Sequence, residues 1–214
     1  MIVYLHGFAS SPASKKARFF AERLRECGQQ VEIPALDGGD FENLTITGQL
    51  AVIDETVRGR PVTLMGSSMG GYLAALYAAR HKEVRRVVLM APAFGFARRW
   101  LETLEPARRE QWQRTGLLPF FHYGEGRERN VGYGLIEDGL RYEDEPAVTQ
   151  PTLLFHGIDD TVVPVGLSER FARGRDNVEP HFLHSGHELV DRLDAMWSWM
   201  QTFLRVKPRG GDPL

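Results

Sequence analysis

Three stretches of this 214-residue chain combine residue types that can attack an acyl carbon and move its protons. Gly66-Ser67-Ser68-Met69-Gly70 is a G-x-S-x-G frame, and only Ser68, not Ser67, has glycines two residues before and after it. Val62–Met65 reads as a strand and Gly70–Arg80 as a helix, so Ser68 stands on a strand–turn–helix elbow. That turn lifts the hydroxyl above a sheet edge in strained backbone geometry. Side chains at the flanking positions would strike the neighbouring strand and helix, which is why glycine is needed there. The plainer role for a serine in front of a helix is an N-cap.

A serine hydroxyl is a weak nucleophile at neutral pH and needs a base, usually histidine oriented by a carboxylate. The segment from His156 to Pro164 starts at the end of a strand and carries Asp159 and Asp160, either of which could point into a site. The loop after the preceding strand, Ala91-Pro92-Ala93-Phe94, holds no acid. His181, His184 and His187 follow. His181 falls inside the strand Val178–Leu183 and reads as structural. Ser185-Gly186-His187 is a loop leading into the last helix, from which an imidazole reaches over the sheet edge, so His187 is preferred to His184 as base. A metal held by the three histidines is the rival reading. Their spacing does not put them on one helix face, and no cysteine or acidic ligand cluster accompanies them. The oxyanion of an acyl-transfer intermediate needs two backbone N–H donors. In an elbow of this kind one is the residue after the serine, Met69, and the other lies after an early strand, where Leu5-His6-Gly7-Phe8 offers Phe8. His6 reads as a brace for that loop.

These parts need a scaffold, and the rest of the chain supplies its pattern. Short runs rich in Val, Ile and Leu, without strict alternation, occupy Ile2–Leu5, Gln30–Ile33, Val62–Met65, Val87–Met90, Thr152–Phe155 and Val178–Leu183, as strands buried on both faces should. Helical patterns lie between them. The first is expected to be capped by Ser11, with Pro12 in its first turn, Ala13, Ala17, Phe20, Leu24 and Cys27 on its buried stripe, and Gly28 after its end. Ile46, Leu50, Ile53 and Val57 mark the next helix; Leu189, Leu193, Met196, Trp197, Met200 and Phe203 mark the last. Strand–helix alternation implies a parallel sheet covered on both sides. Residues 95–150 break the rhythm. The segment is aromatic and charged and begins as a helix (Phe96, Trp100, Leu101, Leu104) that breaks at Pro106. An insertion at the C-terminal edge of a parallel sheet sits over its ligand site, so it reads as a small lid within a domain spanning 1–205. Its arginines, Arg98, Arg99, Arg108, Arg109 and Arg114, alternate with Glu102, Glu105 and Glu110 and read as a solvated face with ion pairs. The tail, 206–214, is Pro- and Gly-rich and reads as disordered.

Composition narrows the function classes. Hydrophobic residues make up 43% and charged residues 25%, which excludes a disordered or collagen-like chain. A net charge of −2 gives no global reason to expect a nucleic-acid partner. No stretch approaches the ~18 apolar residues of a membrane span. The single Cys27 cannot make an internal disulfide, its thiol reads as packing rather than as a nucleophile, and the opening strand shows no signal peptide. The expectation is therefore a cytoplasmic protein.

The set of landmarks resembles the α/β-hydrolase superfamily: Leu5-His6-Gly7-Phe8, Gly66-Ser67-Ser68-Met69-Gly70-Gly71, His156-Gly157 with Asp160 and Val163-Pro164, and Gly186-His187. The opening His6-Gly7-Phe8-Ala9-Ser10-Ser11-Pro12 is similar to compact bacterial esterases of that superfamily. The chain also looks like the mitochondrial hydrolases that cleave acyl-glucuronides and protein thioesters. The resemblance implies about six mostly parallel strands flanked by helices, and hydrolysis of a small carboxylic ester or thioester through an acyl-enzyme, with no cofactor. It makes Ser68 the nucleophile, His187 the base, Asp160 rather than Asp159 its orienter, and Phe8 and Met69 the oxyanion donors. Larger members begin with an antiparallel hairpin that this chain lacks. Amide or peptide cleavage on the same triad, and small-ligand binding without turnover, are the alternatives.

Overall fold

The computed structural model describes residues 1–207. In chain order the first half runs β1 (Ile2–Leu5), α1 (Lys15–Glu26), β2 (Val31–Glu32), α2 (Ile46–Val57), β3 (Val62–Ser67), α3 (Met69–Ala78) and β4 (Val84–Met90). There follow α4 (Phe96–Thr103), α5 (Pro106–Thr115), β5 (Leu117–His122), β6 (Arg127–Gly132) and α6 (Gly134–Gly139). The chain then continues through β7 (Thr152–Gly157), α7 (Val165–Ala172), β8 (Val178–Leu183) and α8 (Leu193–Leu204).

Six strands form one sheet in the order β2-β1-β3-β4-β7-β8, every neighbouring pair parallel. Such a sheet needs apolar residues on both faces, and alternate side chains divide between two cores. Val3, Leu5, Leu64, Val87, Leu89 and Leu154 pack with α2, α3 and the 95–150 segment. Ile2, Tyr4, Met65, Val88, Met90, Leu153 and Phe155 pack with α1 and α8. The first crossover leads from β1 outward to β2 and the next ones lead the other way, to β3, β4, β7 and β8. The switch therefore falls between β1 and β3. The loops leaving their C-terminal ends diverge there and open a crevice, the usual ligand position of open parallel sheets.

α1 starts later than the sequence pattern predicts. Its N-cap is Ser14, which makes no side-chain capping bond. Ser11 and Pro12 lie in the loop before it, and Ala13 is exposed rather than on the buried stripe. The reason is local: the Ser14 N–H donates to the Ser11 carbonyl, and the Ala13 N–H to Ser11 Oγ, so Ser11 closes a turn instead of capping the helix. Residues 95–150 hold α4 and α5, separated just before Pro106, and then a feature not read from the sequence, the antiparallel hairpin β5–β6. Pro119 is tolerated because this sheet has only two strands. The interleaved glutamates do not pair with the arginines of this segment. Arg98 pairs with Asp144, while Arg99, Arg108 and Arg109 donate to the carbonyls of Val162, Pro119 and Leu101. At the far end Val206 is buried and donates to the Gln201 carbonyl, so ordered chain extends past 205. The remainder of the tail, 208–214, lies outside the described residues.

Candidate active site

The backbone at Ser68 is bent as no ordinary N-cap is. Its φ is 54° and ψ −120°, a left-handed conformation that costs a non-glycine residue strain. The bend is held from three sides. The Ser68 N–H donates to the Met90 carbonyl at 2.9 Å, and the Ser68 carbonyl accepts from the amides of Gly71, Tyr72 and Ala93. A Cβ on Gly66 would overlap the Gly70 carbonyl, and one on Gly70 would overlap the carbonyl of Leu5 in the neighbouring strand. The glycines thus let β1, β3 and α3 meet closely enough to push the Ser68 side chain out. Ser67 remains buried.

Two further loops bring imidazole and carboxylate to this hydroxyl. His187 Nε2 lies 3.0 Å from Ser68 Oγ, and His187 Nδ1 lies 2.7 Å from Asp160 Oδ2. The carboxylate can only accept, so Nδ1 carries the proton, which leaves Nε2 to accept from the serine. Asp160 Oδ1 accepts from the Val162 and Val163 amides, both at 2.8 Å. Burial disfavours the charged carboxylate, but hydrogen bonds from His156, His187 and the Val163 amide outweigh it and hold Asp160 well below the usual carboxylate range. Asp159 is exposed, and among the described residues only its backbone amide is engaged, on the Ser185 carbonyl. His184 is exposed and contributes its carbonyl to Arg192. His181 pairs with Glu179 and stacks on Phe155.

The role of one landmark residue, His156, escaped the sequence reading. His156, fully buried, places Nε2 3.1 Å from Asp160 Oδ2 and 2.9 Å from the Val163 carbonyl, while Nδ1 lies 2.7 Å from Ser168 Oγ. Two acceptors around Nε2 put its proton there, so Nδ1 accepts from Ser168. His156 thereby clasps both the carboxylate and the turn that follows it. A histidine at the end of an otherwise apolar strand, four residues before the acid, was the available signal.

The Phe8 and Met69 amides have no acceptor among the described residues. The loop bearing Phe8 is wedged by aromatic rings: Phe8 meets Trp100 and Phe120 edge-on, with centroids 5.0 and 5.3 Å apart, and Trp100 stacks on Phe120. The hairpin ties to the same loop through the Tyr123 N–H and the Ala9 carbonyl, 2.7 Å apart. Buried His6 sits between the Gly7 carbonyl and the Leu36 amide. Ser68, Met69 and His187 line a cavity of about 720 Å³. Among the described residues the side chains grouped closely enough to hold a cation are Asp54, His81 and Glu83. They lie toward the N-terminal end of β4, away from Ser68, and Tyr77 Oη already donates to Asp54.

The family described as "Uncharacterised protein family (UPF0227)" matches residues 1–201. The AB hydrolase superfamily protein YisY of Bacillus subtilis (strain 168) is 26% identical, over 92% of this chain and 91% of its own length. Alpha/beta hydrolase domain-containing protein 10 from mouse superposes with a TM-score of 0.79 at 20% identity, covering 95% of this chain and 89% of its own. Est1E from Butyrivibrio proteoclasticus superposes with a TM-score of 0.77 at 18% identity, covering 95% and 86%.

Proposed function

The chain belongs to the UPF0227 family, within the α/β-hydrolase superfamily, and we propose that it is a serine hydrolase cleaving small carboxylic esters or thioesters through an acyl-enzyme. The observation that carries the reading is the unbroken relay from Ser68 Oγ to His187 Nε2 at 3.0 Å, and from His187 Nδ1 to Asp160 Oδ2 at 2.7 Å. In the first half-reaction Ser68 Oγ bonds to the acyl carbon while His187 Nε2 takes its proton. The Phe8 and Met69 amides stabilise the oxyanion, and the imidazolium protonates the departing alkoxide or thiolate. A water molecule then repeats the sequence: His187 takes its proton, its oxygen bonds to the acyl carbon, and Ser68 leaves with the proton. Asp160 keeps the imidazole in the required tautomer and opposes its charge. No redox or metal step is required. In this reading residues 95–150 cover the site within one domain, and α4 is tied to the acid loop by Arg99 and the Val162 carbonyl.

Labelling with a fluorophosphonate tests the assignment. Ser68→Ala is expected to abolish the covalent adduct and turnover of p-nitrophenyl esters, while Ser67→Ala keeps the adduct. An adduct retained in Ser68→Ala overturns it.

A further inference from the structure

The cavity beside Ser68 has two chemically different ends, one for each face of the sheet. On the α2/α3 side it is walled by Phe8, Met69, Ala93, Phe96, Trp100 and Val163, a largely apolar surface suited to a hydrocarbon or aromatic group, together with Arg99, whose guanidinium donates to the Val162 carbonyl. On the α1 side its wall includes Tyr4, Ser67, Glu188 and the first turn of α1, with Ser14, Lys15 and Lys16. That side holds buried polar groups that are incompletely satisfied. Tyr4 Oη is buried and has no hydrogen-bond partner in good geometry among the described residues, the Ser67 hydroxyl being near enough to act on it without satisfying it. The Lys16 side chain is only 9% exposed, and its Nζ faces a single carboxylate oxygen, Glu188 Oε2, at 3.7 Å, outside hydrogen-bond reach. Glu188 is itself 73% exposed. The other carboxylate that acts on Lys16, Asp160, already receives His187, His156 and two backbone amides.

The helix beneath makes the arrangement stranger still. The amides of Lys15, Lys16 and Ala17 lack acceptors among the described residues, as first-turn amides do when no side chain caps them. Ser14 does not cap, and the first turn holds no acidic residue. It holds two lysines instead, cations at the positive end of a helix dipole, where anions are favoured. Burying an ammonium and an unsatisfied phenol near a helix N-terminus is costly, and the exposed Glu188 carboxylate at 3.7 Å offsets only part of that cost.

We propose that the α1 side of this cavity is an anion subsite, in which Lys16 Nζ, Tyr4 Oη and the first turn of α1 bind a carboxylate carried by the substrate. This rests on the serine-hydrolase reading and sharpens it. The substrates are esters or thioesters that bear an apolar group on one side of Ser68 and a carboxylate on the other. In this arrangement the exposed Glu188 carboxylate yields Lys16 Nζ to the substrate carboxylate.

Two matched pairs of esters separate a carboxylate on the acyl part from one on the leaving group. The first pair is mono-p-nitrophenyl adipate against p-nitrophenyl heptanoate; the second is 4-carboxyphenyl butyrate against 4-carbamoylphenyl butyrate. In one pair at least, kcat/KM for the charged ester should exceed that for the neutral one by about ten- to a hundredfold, the worth of a charge-assisted hydrogen bond. Lys16→Met should cut that ratio by about tenfold or more, Lys16→Arg should restore part of it, and Tyr4→Phe should lower it by a smaller factor. Ratios at or below unity in both pairs, or ratios unchanged in Lys16→Met, overturn the proposal. Should no ester be turned over and Ser68 take no label, the hydrolase reading fails by itself and the subsite is still read by calorimetry. Adipate binding more tightly than adipamide, with the difference lost in Lys16→Met, upholds the anion subsite; equal binding of the two overturns it.

Discussion

Replacing Asp160 by asparagine removes one charge and changes almost no volume, yet the structure leaves the amide no acceptable orientation. All four neighbours of the carboxylate are donors: the Val162 and Val163 amides on Oδ1, His187 Nδ1 and His156 Nε2 on Oδ2. If the amide oxygen stays with the backbone, its NH2 faces His187 and can bond only by forcing the proton onto Nε2, the nitrogen that must accept from Ser68. If the amide flips, its NH2 opposes two backbone N–H groups and each loses an acceptor, at about 1–3 kcal/mol apiece. The active tautomer survives only with the flipped amide, so it carries the cost of the two lost backbone hydrogen bonds. Loss of kcat is expected to approach the roughly 10⁴-fold found for the equivalent change in a chymotrypsin-type protease, or about 5.5 kcal/mol of transition-state stabilisation. Asp159→Asn, at an exposed position, should change kcat/KM by no more than about twofold. Initial rates on a p-nitrophenyl ester at neutral pH decide between them. The same pair has a signature in stability. The folded carboxyl is held below its unfolded value, so its ionisation stabilises the protein above about pH 4, and this contribution is lost as pH falls through the folded value. Urea denaturation should therefore show the gap between wild type and Asp160→Asn narrowing between pH 7 and pH 3. Asp160→Asn activity within about tenfold of wild type, or equal losses in the two variants, would refute the reasoning.

The elbow and the base give two more tests. Gly70→Ala must displace the Leu5 carbonyl or the start of α3, so it should cost about 3 kcal/mol or more and lower Tm by about 6–12 °C, whereas Gly134→Ala, where a Cβ meets open space, should leave Tm nearly unchanged. Equal melting temperatures for the two variants would show that the close approach of β1 and α3 is not required. With His187 as base, His187→Ala should lose nearly all turnover of a neutral ester while keeping the fold, and His184→Ala, at an exposed position, should keep most of it. Turnover retained in His187→Ala and lost in His184→Ala moves the role to His184.

Much of the scaffold is written in local pattern. Strands buried on both faces must be apolar throughout, so the Val-, Ile- and Leu-rich runs disclose a parallel sheet whatever lies between them. Gly66 and Gly70 are equally legible, because a sharp turn between strand and helix tolerates no side chain on either flank. Local pattern fails where two neighbours of the same chemistry share a turn. Asp159 and Asp160 are indistinguishable by type, and the choice between them falls to the Val162 and Val163 amides, which hold Oδ1 and rotate Oδ2 toward His187. Ser11 and Ser14 can both cap a helix, and the turn that joins them makes Ser14 the first residue of α1's boundary. The β5–β6 hairpin is hidden by Arg127, Glu128 and Arg129, whose outer-strand positions need no apolar side chains. His156, Tyr4 and Lys16 acquire their chemistry only on folding, from separations that no spacing in the chain records. Burial strips water from a polar group, and the partner that then satisfies it, or fails to, arrives from a different strand or helix.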